Sequence, residues 1–262
     1  MTARFAALVQ QPAAELAASL AEVALVIAAH ASEGLDVGGY LGVLGGFAAA
    51  CAPGDLDGVI HRLFEVEGFA GNRANYYEPD NSYLDRVIER RLGIPITLAV
   101  VLIDVARRCG ITLSGVGMPG HFLVRCDDGN QPRLLDPFTG GRTLTVDECA
   151  ARFHAIQGAE AAFDVSYLDP VDPLTVVARM LANLRSIHMA RQDSTNLEWV
   201  LRLRGLLPGA SIRDRAERAG VLAAMGRYLE AAALLDELAP EATGPLGSQL
   251  VTQAKKLRAR LN

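Results

Sequence analysis

The chain has 262 residues, of which 50% are hydrophobic and 6% aromatic, and its formal net charge is −5 with a pI of about 5.6. This hydrophobic content excludes an intrinsically disordered chain, which combines low hydrophobicity with high charge. The acidic balance excludes the basic surface that non-specific nucleic-acid binding needs, and so few aromatic residues do not favour a base-stacking platform. The length predicts one large domain or two smaller ones.

The cysteine pattern argues against a zinc ribbon, a redox motif and a disulfide framework. No two cysteines form a C-x-x-C arrangement, and they are widely spaced: Cys51, Cys109, Cys126 and Cys149. Glu15 and Glu22 interrupt the apolar N-terminal stretch, so no signal peptide is predicted. The uncharged run 37–54 has the length of a membrane span, but its six glycines and one proline favour a helix flanked by loops. We therefore expect a cytoplasmic protein without a membrane segment.

The first third of the chain is predicted to be helical. Alanine and leucine recur at helical spacing over 13–31, 40–51 and 56–66, and glycine and proline separate these segments. A polar loop follows over 72–81. The next helix is predicted to begin near Ser82, because Ser82 and Asp85 have the spacing of a capping box.

The segment 95–109 predicts a buried central helix. Pro95 suits the first helical position, because a backbone N–H group at that position would have no partner within the helix. The stretch 96–106 is apolar on every side apart from Thr97 and Asp104, and a helix with this pattern is surrounded by protein. Gly110 is predicted to end the helix.

After this helix the hydrophobic period changes from 3.6 to 2. Strands are predicted over 112–118, 121–126 and 133–136, with a hairpin turn at Asp128-Gly129. From about 172 onward the pattern is helical again. The segments 197–208 and 230–240 form a weak repeat. The motif G-x-Y-x-x-A at 226–231 is typical of a tetratricopeptide repeat.

The predicted hairpin places a histidine and an aspartate on one face of the sheet. With a two-residue turn at Asp128-Gly129, His121 lies directly opposite Asp136, close enough for a carboxylate to accept a hydrogen bond from the imidazole. With a turn centred on Gly129-Asn130, the two residues become diagonal neighbours on the same face. The alternative interpretation gives no functional pair, because an aspartate at a strand end often caps a turn.

Three strings carry a family resemblance: NSYLDRVIERRLGIPITLAVVLIDVARRCGI, GVGMPGHFLVRC and LLDPFTGGRTL. They resemble the transglutaminase-like superfamily and, within it, the bacterial SirB-one regulator branch, which carries tetratricopeptide-like helices at its C-terminus. The resemblance implies an α+β fold with a transglutaminase- or papain-like core. A helical N-terminal part and the buried central helix would pack on a small antiparallel sheet over 1–170, and an α-helical repeat tail would occupy 171–262.

The resemblance also implies a Cys–His–Asp site, with the cysteine at the start of the central helix. His121 and Asp136 match the family's histidine and aspartate. The position that matches the cysteine is Pro95, which has no nucleophilic group. Thr97, Cys109 and Cys126 are poorly placed to replace it. Cys51 and Cys149 lie outside the predicted site, although folding could bring either one near. The expected pocket candidates are Tyr76, Tyr77, Asn81 and Thr97, although capping is the preferred role for Asn81.

Two main hypotheses follow. The first is a non-catalytic protein with a binding or regulatory role, whose helical tail contacts an unidentified protein or peptide. The second is a thiol-class or Ser/Thr-based hydrolase or acyltransferase with a displaced nucleophile, which requires a Cys, Ser or Thr within about 3–4 Å of His121. A weaker third hypothesis is a metal site formed by His121 and Asp136 with His61 or Asp80, although no spacing supports it. No cofactor, nucleic-acid or membrane interaction is expected.

Overall fold

The computed structural model describes residues 1–127, 129 and 131–261, and it divides the chain into two compact units. The first unit contains Met1 and the chain from Gln11 to Met180; the second contains Thr2–Gln10 and the chain from Leu181 onward. The predicted domain boundary at 170 stays a prediction. Residues 171–180 belong to the first unit, where the side chain of Val176 packs beside Gly115.

The first unit begins with short helices, as predicted, although their bounds differ. The helices are α2 (Ala13–Ala18), α3 (Leu20–Ala28), α4 (Val37–Ala49), α5 (Leu56–Ile60), α6 (Leu84–Arg90), α7 (Pro95–Arg108), α8 (Val146–Gln157) and the first part of α9 (Pro173–Ala190). The predicted helix 13–31 is two helices that meet at Ser19. Helix α5 continues as a π-helical turn over His61–Val66. Asp36 and Asp55 cap α4 and α5 by accepting hydrogen bonds from backbone N–H groups.

The predicted capping box at the start of α6 is wrong. The residue that precedes α6 is Tyr83, whose side chain makes no capping hydrogen bond, and the hydroxyl of Ser82 has no hydrogen-bond partner among the described residues. Asp85 lies inside the helix and is buried, where its Oδ2 accepts a hydrogen bond from Ser32. Burial raises the pKa of Asp85. Asp85 is thus part of the interior packing instead of a helix cap.

The strands form two sheets. A parallel pair joins β1 (Ala70–Gly71) to β2 (Leu92–Gly93), and four antiparallel strands lie in chain order: β3 (Leu113–Val116), β4 (Leu123–Cys126), β5 (Arg133–Asp136) and β6 (Arg142–Leu144). Arg125 is paired with Leu134, and Cys126 with Arg133. This is the second of the two predicted registers, in which His121 and Asp136 are diagonal. Asp128 and Asn130 of the connecting loop lie outside the described residues.

Helix α7 is the core of the first unit, which confirms the predicted central helix. Every residue from Pro95 to Ala106 is buried, and α7 packs against α3, α4, α5, β3 and β4. Asp104 is buried on this helix, but Arg107 and Arg108 pair with its carboxylate at 3.1 and 2.6 Å. An apolar helix surrounded in this way gives its N-terminus a fixed position in the unit.

Helix α8 covers one face of the four-stranded sheet. Four strand residues pack with Cys149 and Phe153 of α8 in one buried cluster: Val116, Leu123, Leu134 and Leu144. Side chains alternate along a strand, so Asp136 projects from the same face as Leu134. The sheet therefore directs Asp136 towards α8.

The second unit is a helical stack. It contains α1 (Thr2–Val9), the end of α9, α10 (Ser194–Gly205), α11 (Ile212–Ala224), α12 (Tyr228–Leu238) and α13 (Pro245–Arg258). Each helix from α10 to α13 packs on the next, and α1 packs on α10. Helices α10 and α12 begin 34 positions apart. None of the helices in the described residues is long and apolar enough to cross a membrane.

Candidate functional site

His121 lies in a tight turn just before β4. Its N–H group donates to the carbonyl of Met118 at 3.0 Å, and Gly120 has a φ of +78°, which favours glycine. Arg179 of α9 donates to the carbonyls of Met118 and His121 at 2.9 and 2.7 Å. One guanidinium therefore bridges both ends of the turn and holds the His121 backbone in place.

The structure brings His121 and Asp136 together although they are not directly opposed in the sheet. Nε2 of His121 lies 3.0 Å from Oδ1 of Asp136, and both side chains are buried. Because a carboxylate only accepts, Nε2 carries the proton and donates it, which leaves the lone pair of a neutral imidazole on Nδ1. Nδ1 has no hydrogen-bond partner among the described residues.

Asp136 is completely buried, and both of its carboxylate oxygens are bound by donors. Oδ1 also accepts from the N–H of Phe138 at 3.1 Å, and Oδ2 accepts from the hydroxyl of Thr139 at 2.9 Å. Arg152 of α8 forms an ion pair with Oδ2 at 3.0 Å. Burial on its own would raise the pKa of Asp136, but His121, Arg152 and Thr139 together hold it below its usual range. Asp136 is therefore an ionised carboxylate with a full set of partners.

Arg152 is the site residue that the sequence reasoning missed. Its guanidinium Nη1 is 3.0 Å from Asp136 and 3.5 Å from Nε2 of His121. No spacing pattern links Arg152 to either residue. The only available signal is its position beside the buried Cys149 and Phe153 on α8.

At the position that the family resemblance assigns to a nucleophile, Pro95 is the first residue of α7. Thr97 is buried and has a structural role. Its hydroxyl donates to the carbonyl of Asn81 at 2.7 Å and accepts from the N–H of Ile94 at 3.1 Å. Thr97 therefore caps α7 and joins it to the preceding loop, and its role as a pocket residue stays a prediction.

None of the hydrogen-bond partners of His121 in the described residues is a thiol or a hydroxyl. The thiols of Cys51 and Cys109 donate to the carbonyls of Phe47 and Ala48 at the end of α4. Cys126 lies at the far end of β4. Cys149 belongs to the apolar cluster under the sheet, and burial raises its pKa to about 11. A thiol in that environment is protonated and weakly nucleophilic.

The remaining pocket candidates have different positions. Asn81 is fully buried, and its amide donates to the carbonyls of Asn75 and Tyr76 at 2.7 and 3.2 Å, which shapes the loop. The ring of Tyr76 lies 5.9 Å from that of Phe138, while Tyr77 is 76% exposed. Phe138 in turn lies 6.2 Å from the His121 ring. Tyr76 therefore reaches the His121 site through Phe138, whereas Asn81 acts by positioning the loop.

The residues considered for a metal site are divided among other partners. His61 Nδ1 is 3.0 Å from the carboxylate of Glu65, and Asp80 pairs with Arg90. Among the described residues, no group of three or more histidine, cysteine, aspartate or glutamate side chains is arranged to hold a metal ion.

A central helix packed on an antiparallel sheet, with a His–Asp pair at the sheet, is the arrangement that the three sequence strings imply. The family comparison agrees with it. A model of the transglutaminase-like superfamily matches residues 13–182, which is well over half of the chain. The chain therefore belongs to the transglutaminase-like superfamily.

The relatives include bacterial and mammalian proteins. The chain is 42% identical over 183 residues to a UPF0162 protein of Xylella fastidiosa, covering 64% of each chain. It is 36% identical over 141 residues to a UPF0162 protein of Pseudomonas aeruginosa, covering 54% of this chain and 51% of that one. It is 35% identical over 140 residues to mouse F-box only protein 21, covering 50% of this chain and 21% of that protein. The chain thus spans less than two thirds of these relatives' length. No solved structure matched the chain.

Proposed function

We propose that this chain is a non-catalytic member of the transglutaminase-like superfamily with a binding or regulatory role. One observation carries the proposal: Pro95 begins the central helix, where the resemblance expects a cysteine, and no thiol or hydroxyl among the described residues bonds to His121. Nucleophilic catalysis needs an activated nucleophile within reach of its base. The His121–Asp136 pair then serves a binding site instead of a reaction.

The charge of Arg152 supports the same proposal. In a thiol enzyme, the negative charge of the aspartate helps to stabilise an imidazolium beside the thiolate. Here Arg152 lies 3.0 Å from Asp136 and offsets that charge. The site therefore places the His121–Asp136 pair next to a fixed positive charge.

The helical second unit would supply the protein or peptide contact. Helices α10 and α12 begin 34 positions apart, which supports a tetratricopeptide-like repeat of about 34 residues, and arrays of this kind bind peptides and helices. The four cysteines of the chain are all free thiols, in keeping with a protein of the reducing cytoplasm.

Activity and thiol labelling test the proposal together. The intact chain is assayed for hydrolysis of an activated ester, p-nitrophenyl acetate, and for amine transfer to a glutamine peptide, beside the variant His121→Ala. We expect the wild-type and variant rates to be the same. Turnover by the wild type that His121→Ala abolishes would overturn the proposal and favour a hydrolase or acyltransferase with a displaced nucleophile.

The variant Pro95→Cys tests the geometry on which the proposal depends. A cysteine at the N-terminus of α7 has its pKa lowered by the helix dipole, so we expect rapid labelling by iodoacetamide. Wild-type protein is the matched control, because it has the same four other cysteines. If position 95 faces His121, adding His121→Ala slows the labelling. Labelling that does not depend on His121 would mean that the two positions do not form one site.

A further inference from the structure

Three arginines and two aromatic rings are linked to His121 by contacts, directly or through a neighbouring side chain, and we call them the arginine–aromatic cluster: Arg73, Tyr76, Phe138, Arg152 and Arg179. Contacts link them in a continuous series. The Arg73 guanidinium carbon is 5.8 Å from the Phe138 ring centroid, and Phe138 contacts both Tyr76 and His121. Arg179 bonds to the carbonyl of His121, and Arg152 bonds to Asp136. All of these residues belong to the first unit.

Arg179 carries a half-buried charge that is not neutralised locally. Burial lowers its pKa, and the guanidinium carbon lies 5.4 Å from the ring centroid of Phe122. Both of its hydrogen bonds use Nη2 and end on carbonyl oxygens, which carry no full charge. Among the residues that the structure describes, no carboxylate pairs with Arg179. A desolvated cation without a counter-charge costs stability, and an anion at this place would recover part of that cost.

Arg73 is a second cation that pairs with no carboxylate in the part of the chain that the structure describes. It is exposed, and its guanidinium group lies over the face of Phe138. The acidic residues of the same loop are engaged elsewhere, since Glu78 and Asp80 both pair with Arg90. Arg152 and Asp136 neutralise each other. The cluster therefore contains two cations, Arg73 and Arg179, that no carboxylate neutralises among the described residues.

We propose that the arginine–aromatic cluster binds an oxyanion, a carboxylate or a phosphate, carried on a flat apolar group. Arg73 and Arg179 would hold the anion, because guanidinium groups donate paired hydrogen bonds to such oxygens. Tyr76 and Phe138 would contact the apolar body. Nδ1 of His121 would accept a hydrogen bond from the ligand or from a bridging water. The inference deepens the proposed function, on which it rests, by naming the ligand class of the same site.

Calorimetric titration of the intact chain tests the inference with three small probes. N-benzoylglycine carries a carboxylate, phenyl phosphate carries a phosphate, and N-benzoylglycinamide is the neutral analogue of the first. We expect one of the two anions to bind with a Kd below about 1 mM at low salt and at least tenfold more tightly than the amide. Tighter binding of N-benzoylglycine would identify a carboxylate ligand, and tighter binding of phenyl phosphate would identify a phosphate ligand. Binding should weaken as salt rises.

Single-charge variants assign the binding to the cluster. Arg73→Gln is expected to weaken binding roughly tenfold, and because Arg73 is exposed it should leave the fold intact. Arg179→Gln is expected to weaken it at least as much, with Arg179→Lys intermediate. Arg213→Gln is the matched control, since it removes an exposed arginine of α11 in the second unit. We expect that control to bind as the wild type does.

Three results would overturn the inference: neither anion binds, the amide binds as tightly as the anions, or Arg73→Gln and Arg213→Gln have equal effects. None of these results depends on turnover, so the inference and the proposed function fail separately. Turnover lost in His121→Ala would refute the non-catalytic role while an anion site could remain. Absence of both turnover and anion binding would refute the anion site alone.

Discussion

Removing the carboxylate of Asp136 should destabilise the first unit more than any other single substitution at this site. Asp136 is 0% exposed, and it accepts from His121, Phe138, Thr139 and Arg152. Asp136→Ala leaves these donors without an acceptor and one guanidinium without its counter-charge. Breaking a buried ion pair by removing one partner typically costs about 3–5 kcal/mol. We expect a loss of this size in the free energy of unfolding of the first unit.

Hydrogen exchange measured by mass spectrometry is the suitable assay for this loss. The single tryptophan, Trp199, lies in α10 of the second unit, so its fluorescence reports on that unit. Exchange of peptides that cover β4, β5 and α7 reports on the first unit directly. Asp57→Ala is the matched control: Asp57 pairs with Arg133 at 2.7 Å, but its side chain is 78% exposed, so we expect no measurable change.

The pH dependence provides a second measure of the same interaction. The folded-state pKa of Asp136 is below its usual value, so its contribution is fully present above about pH 4 and is lost as the pH falls through the lower folded-state pKa. Asp136→Asn should lack this component and lose less stability than the wild type on acidification. A cost of Asp136→Ala below about 1 kcal/mol, or an unchanged acid profile in Asp136→Asn, would refute the reasoning.

Three further predictions concern close packing, helix capping and thiol reactivity. Gly71→Ala should lower the free energy of unfolding by about 1–3 kcal/mol, because the added Cβ would lie 2.4 Å from the Phe138 ring. Gly42→Ala, which has open space around it in α4, should raise the free energy of unfolding by up to about 1 kcal/mol. Thermal unfolding followed by circular dichroism compares the two variants. Thr97→Val should lower the free energy of unfolding by about 1 kcal/mol, because it removes the hydrogen bonds of the Thr97 hydroxyl while the N–H of Ile94 still donates to the carbonyl of Asn81 at 3.3 Å. A neutral result in chemical denaturation would contradict the capping role. The buried thiol of Cys149, with its pKa raised to about 11, should react with a thiol reagent only when the first unit unfolds. Peptide mapping of the labelled protein measures this reaction. Fast labelling of Cys149 in the folded state would contradict its burial.

The hairpin illustrates how far local patterns could predict the site. The alternation of residues between the two faces of a strand predicted β4 and β5. Either of the two registers placed His121 and Asp136 on the same face of the sheet. The turn dipeptide Asp128-Gly129 favoured the wrong register. In the observed one, Cys126 pairs with Arg133, so six residues connect the strands. Turn propensity is a short-range signal, and the pairing of the whole sheet overrode it.

The sequence by itself determined the buried central helix and the strand faces. Both follow from local chemistry: an apolar run from Ile96 and a hydrophobic period of two. The absence of a nucleophile at position 95 is what the family resemblance implies, and it stays a prediction. Only the tertiary structure decided what surrounds the His–Asp pair. Arg152 reaches Asp136 because α8 covers that face of the sheet, and Arg179 reaches His121 because α9 passes the turn before β4. Contacts between residues far apart in the chain depend on how the elements dock, and no local periodicity encodes that docking.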